Sequence, residues 1–527
     1  NTPIGFGLAA PPPGEELPRW IMRGLIAYLR HGMLFYYGDS LRGGHVWDDF
    51  LHRESSYIGG RVDVTDHWSR FHTAKLGMEY RRHTLRRYNH LFPVDVYKEL
   101  GAYTDADFYG YSEDSRSNLD DGPNGAKHPI DASVYLQNKY ERDDVVVRAG
   151  LRYDYLDART DRVKDASRPL GSDNVQLDPE DLEDSEGQHK VSPRVGIGFP
   201  IAEQALFHAN WGKFFQQPNL EDLYVNYDYL SYKVRTGGYF YPFGNPNLEP
   251  EETTAYELGV TRQLSSVSSL DITAFYKDVR NLVQVVNIPA SPNAYASFRN
   301  TDYGTVKGVD VSFDLRRTNN IQAAVYYTLS WAKGTGSASQ SQRNIAWTAS
   351  NPPKLTSPLD FDQRHKLTLN LDWRLPENGG PTWGGRQWLE RTGVNVLFNI
   401  GSGFPYTPTL PYDEITLASV QSELAGSLNS RNAPWTFRID AKADRGFTLG
   451  GVDLTAYVWV LNLLDRRNPV TVYGSTGDVL STGYLATPSG ESSYGEEHER
   501  RLYELKQRNP NNFDIPRMVR VGLRSSF

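Results

Sequence analysis

One stretch of the sequence combines many aromatic rings with two basic side chains. Between residues 217 and 251, the aromatic candidates for contact with a bound molecule are Tyr224, Tyr227, Tyr229, Tyr232, Tyr239, Tyr241 and Phe243. Aromatic side chains offer large, rigid surfaces that stack on other rings. Lys233 and Arg235 would attract an anionic ligand. The alternative is that the rings pack this segment against its neighbours, so ligand binding and packing both stay open.

Charged residues concentrate in three other places. Asp114, Asp120 and Asp121 offer the oxygen ligands that calcium prefers, but their spacing is not that of an EF-hand, and a solvated loop is the simpler interpretation. The same holds for the acidic stretch 178–186. A basic cluster could bind an anionic surface such as lipopolysaccharide, although solvation or pairing with the acidic loops explains it more simply; it consists of Arg81, Arg82, His83, Arg86 and Arg87.

Catalytic and nucleic-acid-binding functions find little support. The chain has no cysteine, which excludes disulfides, cysteine-based zinc sites and thiol catalysis. Its 12 histidines lack paired metal-ligand spacing, and no serine–histidine–aspartate nucleophile motif is evident. Charge is mixed along the chain, without a basic stripe for nucleic acid. We therefore expect no enzyme, no cofactor and no nucleic-acid partner.

The elements that must position these residues are β-strands. In segment 144–157, apolar residues at every second position alternate with Arg148, Arg152 and Asp154. Period-two alternation places one face of a strand in an apolar environment and the other in water. About 15 segments behave as strands: 55–66, 70–88, 130–141, 144–157, 190–200, 204–217, 252–264, 268–283, 298–316, 321–333, 363–375, 391–403, 434–446, 452–464 and 515–527.

The connections between these strands alternate in length. Short connections lie near 141–144, 200–204, 263–268, 317–320 and 446–451, and long ones near 157–190, 217–251, 283–298, 333–362, 403–434 and 464–515. Outer-membrane barrels have short periplasmic turns and long extracellular loops. The aromatic stretch is therefore predicted to be extracellular. Segment 375–391 is long for a periplasmic turn, and its glycine pairs predict an irregular one.

The composition agrees with an all-β, antiparallel transmembrane barrel of the outer-membrane type. We find no run of about 18 uncharged apolar residues, the minimum for a transmembrane helix. The mean hydropathy of −0.56 suits a barrel, because only every second strand residue faces lipid. The 33 tyrosines and 11 tryptophans favour membrane–water interfaces. We expect residues 55–527 to form the barrel, and 1–54 an uncertain part of it or an extracellular loop.

Several motifs resemble those of TonB-dependent outer-membrane receptors. The most specific ones lie, in this order, at 192–194, 210–219, 221–224, 244–251 and 256–259. Further similar pieces lie at 147–154, 300–310, 361–365, 402–408, 460–465 and 468–470. The resemblance covers roughly residues 55–527 and implies a barrel of about 22 strands, of which about 15 to 17 are legible here. It also implies that the terminal Phe527 is recognised by the barrel-assembly machinery.

The resemblance further implies import of a scarce ligand, a ferric siderophore or another nutrient, driven by the inner-membrane proton gradient. TonB would act through a plug domain, which these residues do not show, so the chain resembles the C-terminal barrel portion of a receptor. Outer-membrane lipid and lipopolysaccharide would surround it. Two alternatives stay open: a plugless, porin-like or structural barrel, and a surface-binding module for a partner lipoprotein. Without a signal peptide, we expect a mature chain or part of a longer precursor.

Overall fold

Among the residues that the structure describes, β-strands are the dominant regular structure. The computed structural model describes residues 49–91, 106–113, 115–237, 241–341, 343, 354–413, 415 and 423–526. The strands are β1 (Asp49–Ser69), β2 (His72–Leu91), β3 (Ala106–Tyr109), β4 (Ile130–Arg142), β5 (Val145–Asp157), β6 (Asp161–Val163), β7 (Leu182–Asp184), β8 (Gln188–Ala202), β9 (Ala205–Gln216), β10 (Glu251–Ser265), β11 (Ser268–Ile288), β12 (Tyr295–Thr318), β13 (Ile321–Gly334), β14 (Ser357–Pro358), β15 (His365–Arg374), β16 (Thr392–Gly401), β17 (Pro405–Tyr406), β18 (Arg431–Asn432), β19 (Thr436–Leu449), β20 (Val452–Leu461) and β21 (Met518–Ser526).

In the described part of the connections there are three short α-helices. They are α1 (Tyr227–Thr236), α2 (Pro488–Ser493) and α3 (Glu497–Gln507), and single 3₁₀ turns occur at Pro179–Asp181, Leu220–Leu223, Tyr484–Ala486 and Pro510–Asn512. The alternation of the sequence predicted none of these helices. Within the described ranges, no helix has the length and apolar character needed to cross a membrane.

Fifteen long strands form one antiparallel sheet in which chain neighbours pair. Their order across the sheet is β1, β2, β4, β5, β8, β9, β10, β11, β12, β13, β15, β16, β19, β20 and β21. All the strands expected from the alternation are present. The largest difference is at β1, which begins at Asp49 instead of residue 55. The expected domain boundary near residue 54 stays a prediction.

Each long strand has an apolar and a polar face. In β4, Val134 and Leu136 expose apolar side chains, whereas Tyr135 and Gln137 lie on the opposite face. Tyr135 pairs with Arg152 of β5, so their side chains share that face. Apolar residues face lipid in an outer-membrane barrel, and polar residues line the interior. We therefore call the face that carries Tyr135, Gln137 and Arg152 the inner face.

Tight turns close one end of the sheet. Two residues separate the strand ends at 70–71, 143–144, 203–204, 266–267, 319–320 and 450–451. Several of these residues have the positive φ that two-residue hairpins require, among them Asp143, Asn319, Asn320, Gly450 and Gly451. The other long connections between the paired strands lie at the opposite end, whereas segment 375–391, between β15 and β16, lies at the end of the tight turns, as the alternation in length predicted.

The largest buried core lies among the long connections. It joins residues of the connections after β5 and β9 to the loop ends of β11 and β12, and includes Leu170, Leu223, Tyr224, Val234, Phe243, Leu248, Val285 and Phe298. We call this cluster the loop core. Its apolar side chains are removed from water, which favours connections that fold together over extended loops. We call the connections that pack around the loop core the cap. The cap fixes the position of the aromatic candidates.

Candidate functional site

The aromatic and basic candidates divide between the loop core and its surface. Five are buried, namely Tyr224, Tyr227, Tyr229, Lys233 and Phe243. Tyr232 and Tyr241 are half-buried, and Arg235 is exposed. Tyr239, Asp114 and Phe527 lie outside the described residues. The structure thus gathers the described rings in one region, and it leaves Tyr232, Tyr241 and Arg235 accessible to a ligand.

Helix α1 explains this division. The side-chain oxygen of Asn226 accepts a hydrogen bond from the Tyr229 amide at 3.0 Å, and Gly237 ends the helix with positive φ. Helix residues three or four apart share a face. One face packs into the loop core through Tyr227, Leu230 and Val234, and the opposite face carries Asp228, Tyr232 and Arg235. The Asn and Gly caps are a sequence signal that could have revealed α1.

Buried tyrosine hydroxyls fasten this cap together. Tyr224 donates to the Ala158 carbonyl at 2.8 Å, and Tyr227 donates to the Asp161 carbonyl. Burial raises the pKa of both tyrosines well above the ordinary value, so both hydroxyls stay protonated donors. The two bonds join the connection after β5 to the connection after β9.

Charged groups attach the cap to the sheet. Asp107 of β3 accepts from the backbone amide of Asn226 at 2.9 Å and forms a 2.6 Å ion pair with Arg87 of β2. Asp222 is also buried, and burial raises its pKa to about 6, although the Asn219 side chain donates to it at 3.3 Å. The Asp107 carboxylate is therefore compensated by Arg87, whereas burial holds the pKa of Asp222 at about 6.

The basic cluster forms ion pairs with nearby carboxylates. Arg86 contacts Asp120 at 2.6 Å, and His83 lies 3.2 Å from Asp131. This is the pairing that the sequence favoured over binding to an anionic surface. Across the part of the chain that the structure describes, no three His, Asp or Glu side chains are arranged to hold a metal ion. Asp121 is exposed, and the weak calcium candidates stay a prediction.

The motifs that resemble those of TonB-dependent receptors hold the backbone in place at the loop end of the strands. The Asn300 side chain donates to the carbonyls of Glu249 and Asn281 at 2.8 and 2.7 Å, and it accepts from the Glu249 amide at 2.8 Å. Asn245 accepts from the amide of Asn247 at 3.0 Å, which makes a local turn. These motif residues therefore stabilise the backbone conformation of the connections.

A second concave region, absent from the sequence predictions, lies on the inner face. Its volume is about 530 Å³, and Lys75, Arg148, Arg152 and Arg194 are among its lining residues. These four residues come from β2, β5 and β8, and the register of the sheet brings them together. The signal in the sequence was basic residues at inward positions of successive strands.

Known proteins share this architecture. Residues 18–463 match a family model described as TonB dependent receptor-like, beta-barrel. The chain belongs to this family. It is therefore an antiparallel β-barrel protein of the outer membrane, and the resemblance inferred from the motifs is confirmed. The family and the relatives described next are receptors and transporters.

The relatives align over limited parts of their length. Vitamin B12 transporter BtuB of Vibrio vulnificus (strain YJ016) is 25% identical over 125 residues, which are 24% of this chain and 17% of the relative. The outer membrane transporter YddB from Escherichia coli has a TM-score of 0.50 at 12% identity, covering 80% of this chain and 52% of its own. The siderophore receptor PiuA from Acinetobacter baumannii gives 0.49 at 14%, covering 81% and 54%. The chain spans about half the length of these solved structures.

Proposed function

We propose that this barrel belongs to an importer that captures a scarce nutrient outside the cell and moves it inward with energy from the inner-membrane proton gradient. Membership of the TonB-dependent receptor-like family is the observation that carries the proposal. Two relatives are named as a vitamin B12 transporter and a siderophore receptor. A metal chelate or a nutrient of similar size is therefore the ligand class that we propose.

Capture would take place on the accessible side of the loop core. Tyr232 has the Lys233 ammonium 5.5 Å from its ring centre, and Tyr241 has the Arg343 guanidinium at 4.4 Å. Arg235 on the same face of α1 donates to the Val175 carbonyl at 3.1 Å. Aromatic rings next to cations suit an anionic ligand that has rings of its own. The buried rings would contribute indirectly, by holding α1 in place.

Energy transfer and assembly involve partners. We propose that TonB acts through a plug domain that fills the barrel, as in the receptors that the motifs resemble. Phe527 is proposed as the residue recognised by the barrel-assembly machinery, and outer-membrane lipid and lipopolysaccharide surround the apolar face. A lipoprotein that covers the loops is an additional proposed partner.

Uptake measurements in cells test the proposal. Cells that produce the complete protein are supplied with iron-55 chelates or labelled vitamin B12, with and without a protonophore. The proposal predicts accumulation that stops when the proton gradient collapses, and that falls in Y232A and R235Q but not in E203Q, a change in the exposed β8–β9 turn. Accumulation that continues without the gradient would indicate a passive pore instead.

A further inference from the structure

We propose that the cavity on the inner face binds a small polyanion bearing carboxylate or phosphate groups; the assignment rests on the import function proposed above. Its volume of about 530 Å³ falls within the roughly 300–1,000 Å³ of small-molecule sites. The cavity faces the space that the proposed plug would fill, so it would hold the ligand, or its anionic part, after release from the loops and once the plug has moved aside.

The register of the sheet places the cavity. Lys75 pairs with Gln137, Gln137 with Gly150, Gly150 with Arg194, and Arg194 with Gly212. Directly paired residues of antiparallel strands point to the same side. These five residues therefore form one row on the inner face, across β2, β4, β5, β8 and β9.

Glycines create the depression. Gly150, Gly196 and Gly212 carry no side chains that could fill the space between their larger neighbours. Tyr135 and Phe214 contribute aromatic walls. A bound molecule could thus approach the backbone of the sheet at the floor. The Arg194 guanidinium lies 4.4 Å from the centre of the Phe214 ring, and the Lys75 ammonium lies 5.8 Å from the centre of the Tyr135 ring, so the rings hold these cations at the cavity wall.

The cavity carries more positive charge than its own carboxylates balance. Its basic lining residues are Arg61, Lys75, Arg148, Arg152 and Arg194, and its acidic lining residue is Glu257. Arg61 pairs with Asp63 at 2.7 Å, and Arg152 pairs with Asp154 at 2.8 Å. Among the described residues, the remaining three cations have no carboxylate within ion-pair distance. An anionic ligand would supply the missing charge.

Three of the cations lie side by side. Arg148 pairs with Gly196 and Arg152 with Ser192, which puts Arg194 diagonally between the two arginines. Diagonal neighbours are about 7–8 Å apart, and like charges at this distance repel each other. Guanidinium groups bind carboxylate and phosphate in a bidentate manner, so one anion between them would relieve the repulsion.

A neighbouring cavity has no excess of positive charge, because its three basic lining residues are matched by three acidic ones. It shares Arg152 with the first cavity, but its Arg81 pairs with Glu79, and its Lys190 pairs with Glu249 at 2.7 Å. Gln217 and Pro250 of the aromatic loop also line this second cavity, so it lies toward the loop end. An anion that moves inward from the loops would therefore find its uncompensated cations in the first cavity. This difference in charge between the two cavities favours, as the occupant, a ligand that moves from the loops into the barrel.

Calorimetric titration of the purified full chain in detergent micelles tests the site. Citrate and pyrophosphate are the probes, at low salt. We expect saturable binding that weakens about tenfold or more in R148Q/R194Q, because both guanidinium groups that would form charge-assisted hydrogen bonds with the anion are lost. K75Q removes a single charge and should weaken binding several-fold. It provides the test if the double variant fails to fold. R374Q is the matched control, since Arg374 pairs with Asp444 at 2.9 Å outside the cavity.

Each other outcome has a defined meaning. Equal affinities of the wild type, R148Q/R194Q and K75Q, or no saturable binding of either probe, would overturn the site. Binding of poly-glutamate without citrate or pyrophosphate would overturn it too, because an acidic polypeptide would then be the occupant. Gradient-dependent uptake without arginine-dependent anion binding refutes this site alone. Arginine-dependent anion binding without energised uptake refutes the import function alone.

Discussion

Asp107 and Asn226 connect the loop core to the sheet across 119 residues of sequence. The Asn226 amide donates to the Asp107 carboxylate at 2.9 Å, and both residues are buried. Asn226 also caps α1, so the same residue begins the helix and fixes its position. This buried carboxylate is therefore one of the groups that orient the proposed ligand-binding face, together with the Phe108 carbonyl, which accepts from the Asn226 side chain at 2.9 Å.

Replacing Asp107 by alanine should loosen α1. The change leaves the Asn226 amide without its acceptor and Arg87 without its ion-pair partner, at a cost of roughly 2–4 kcal/mol. We expect faster amide hydrogen exchange across residues 226–234, measured by mass spectrometry. E203A, which removes an exposed carboxylate from a tight turn, should leave exchange unchanged. Wild-type exchange in D107A would show that this contact does not hold the cap.

Asp222 should make the cap less stable as the pH rises. Burial favours its neutral form and raises its pKa from 3.8 to about 6. Its contribution is therefore most favourable below pH 3.8, and it is lost as the pH rises through 6 and the buried group must ionise. D222N should abolish this dependence and stabilise the cap by roughly 2–3 kcal/mol at pH 7. Amide hydrogen exchange of the wild type and D222N at pH 5 and 7.5, corrected for intrinsic exchange rates, checks this prediction. The same pH dependence in both proteins would refute it.

Gly308 should accept no larger residue. A Cβ atom there would lie 2.3 Å from the Leu329 carbonyl oxygen and 2.7 Å from the Phe275 ring. G308A should therefore lower stability by roughly 1–3 kcal/mol. In the matched variant G60A, the new methyl group meets nothing within 4 Å, and stability should change by less than about 0.5 kcal/mol. Heat modifiability measures the stability of both variants: samples are heated to a series of temperatures before electrophoresis, and the temperature at which the folded band disappears is recorded. Equal behaviour of the two variants would exclude this steric explanation.

The two sides of the loop core should respond differently to mutation. Y232A and R235Q should reduce uptake of the labelled ligand, while the temperature at which the folded band disappears stays at the wild-type value. Y224A should lower that temperature, because it removes a buried ring and its bond to Ala158, at a cost of roughly 3–5 kcal/mol. Loss of stability in Y232A would instead assign that ring to packing.

The strands were predictable because their signal is local. In β4, for example, Val134 and Leu136 alternate with Tyr135 and Gln137, and no distant residue is needed to recognise the pattern. The loop core was not predictable in the same way. Tyr224 bonds to Ala158, 66 residues away, and such contacts leave no periodic trace in the sequence. Tertiary packing thus decides which rings are buried.

The inner cavity shows the same limit. Its row of Lys75, Gln137, Gly150, Arg194 and Gly212 depends on the register of four strand pairs. A shift of one residue in any pair would move side chains to the other face. The sequence shows which positions alternate, but the pairing partners emerge from the folded sheet.

Spin labelling of β4 tests most directly that the sheet spans the outer membrane with its apolar face in lipid. The chain has no cysteine, so single-cysteine variants carry the label at one defined place. Labels at Val134 and Leu136 should be relaxed strongly by oxygen, which concentrates in lipid, and labels at Tyr135 and Gln137 should be relaxed much less. Equal oxygen accessibility at all four positions in native outer membranes would contradict the barrel.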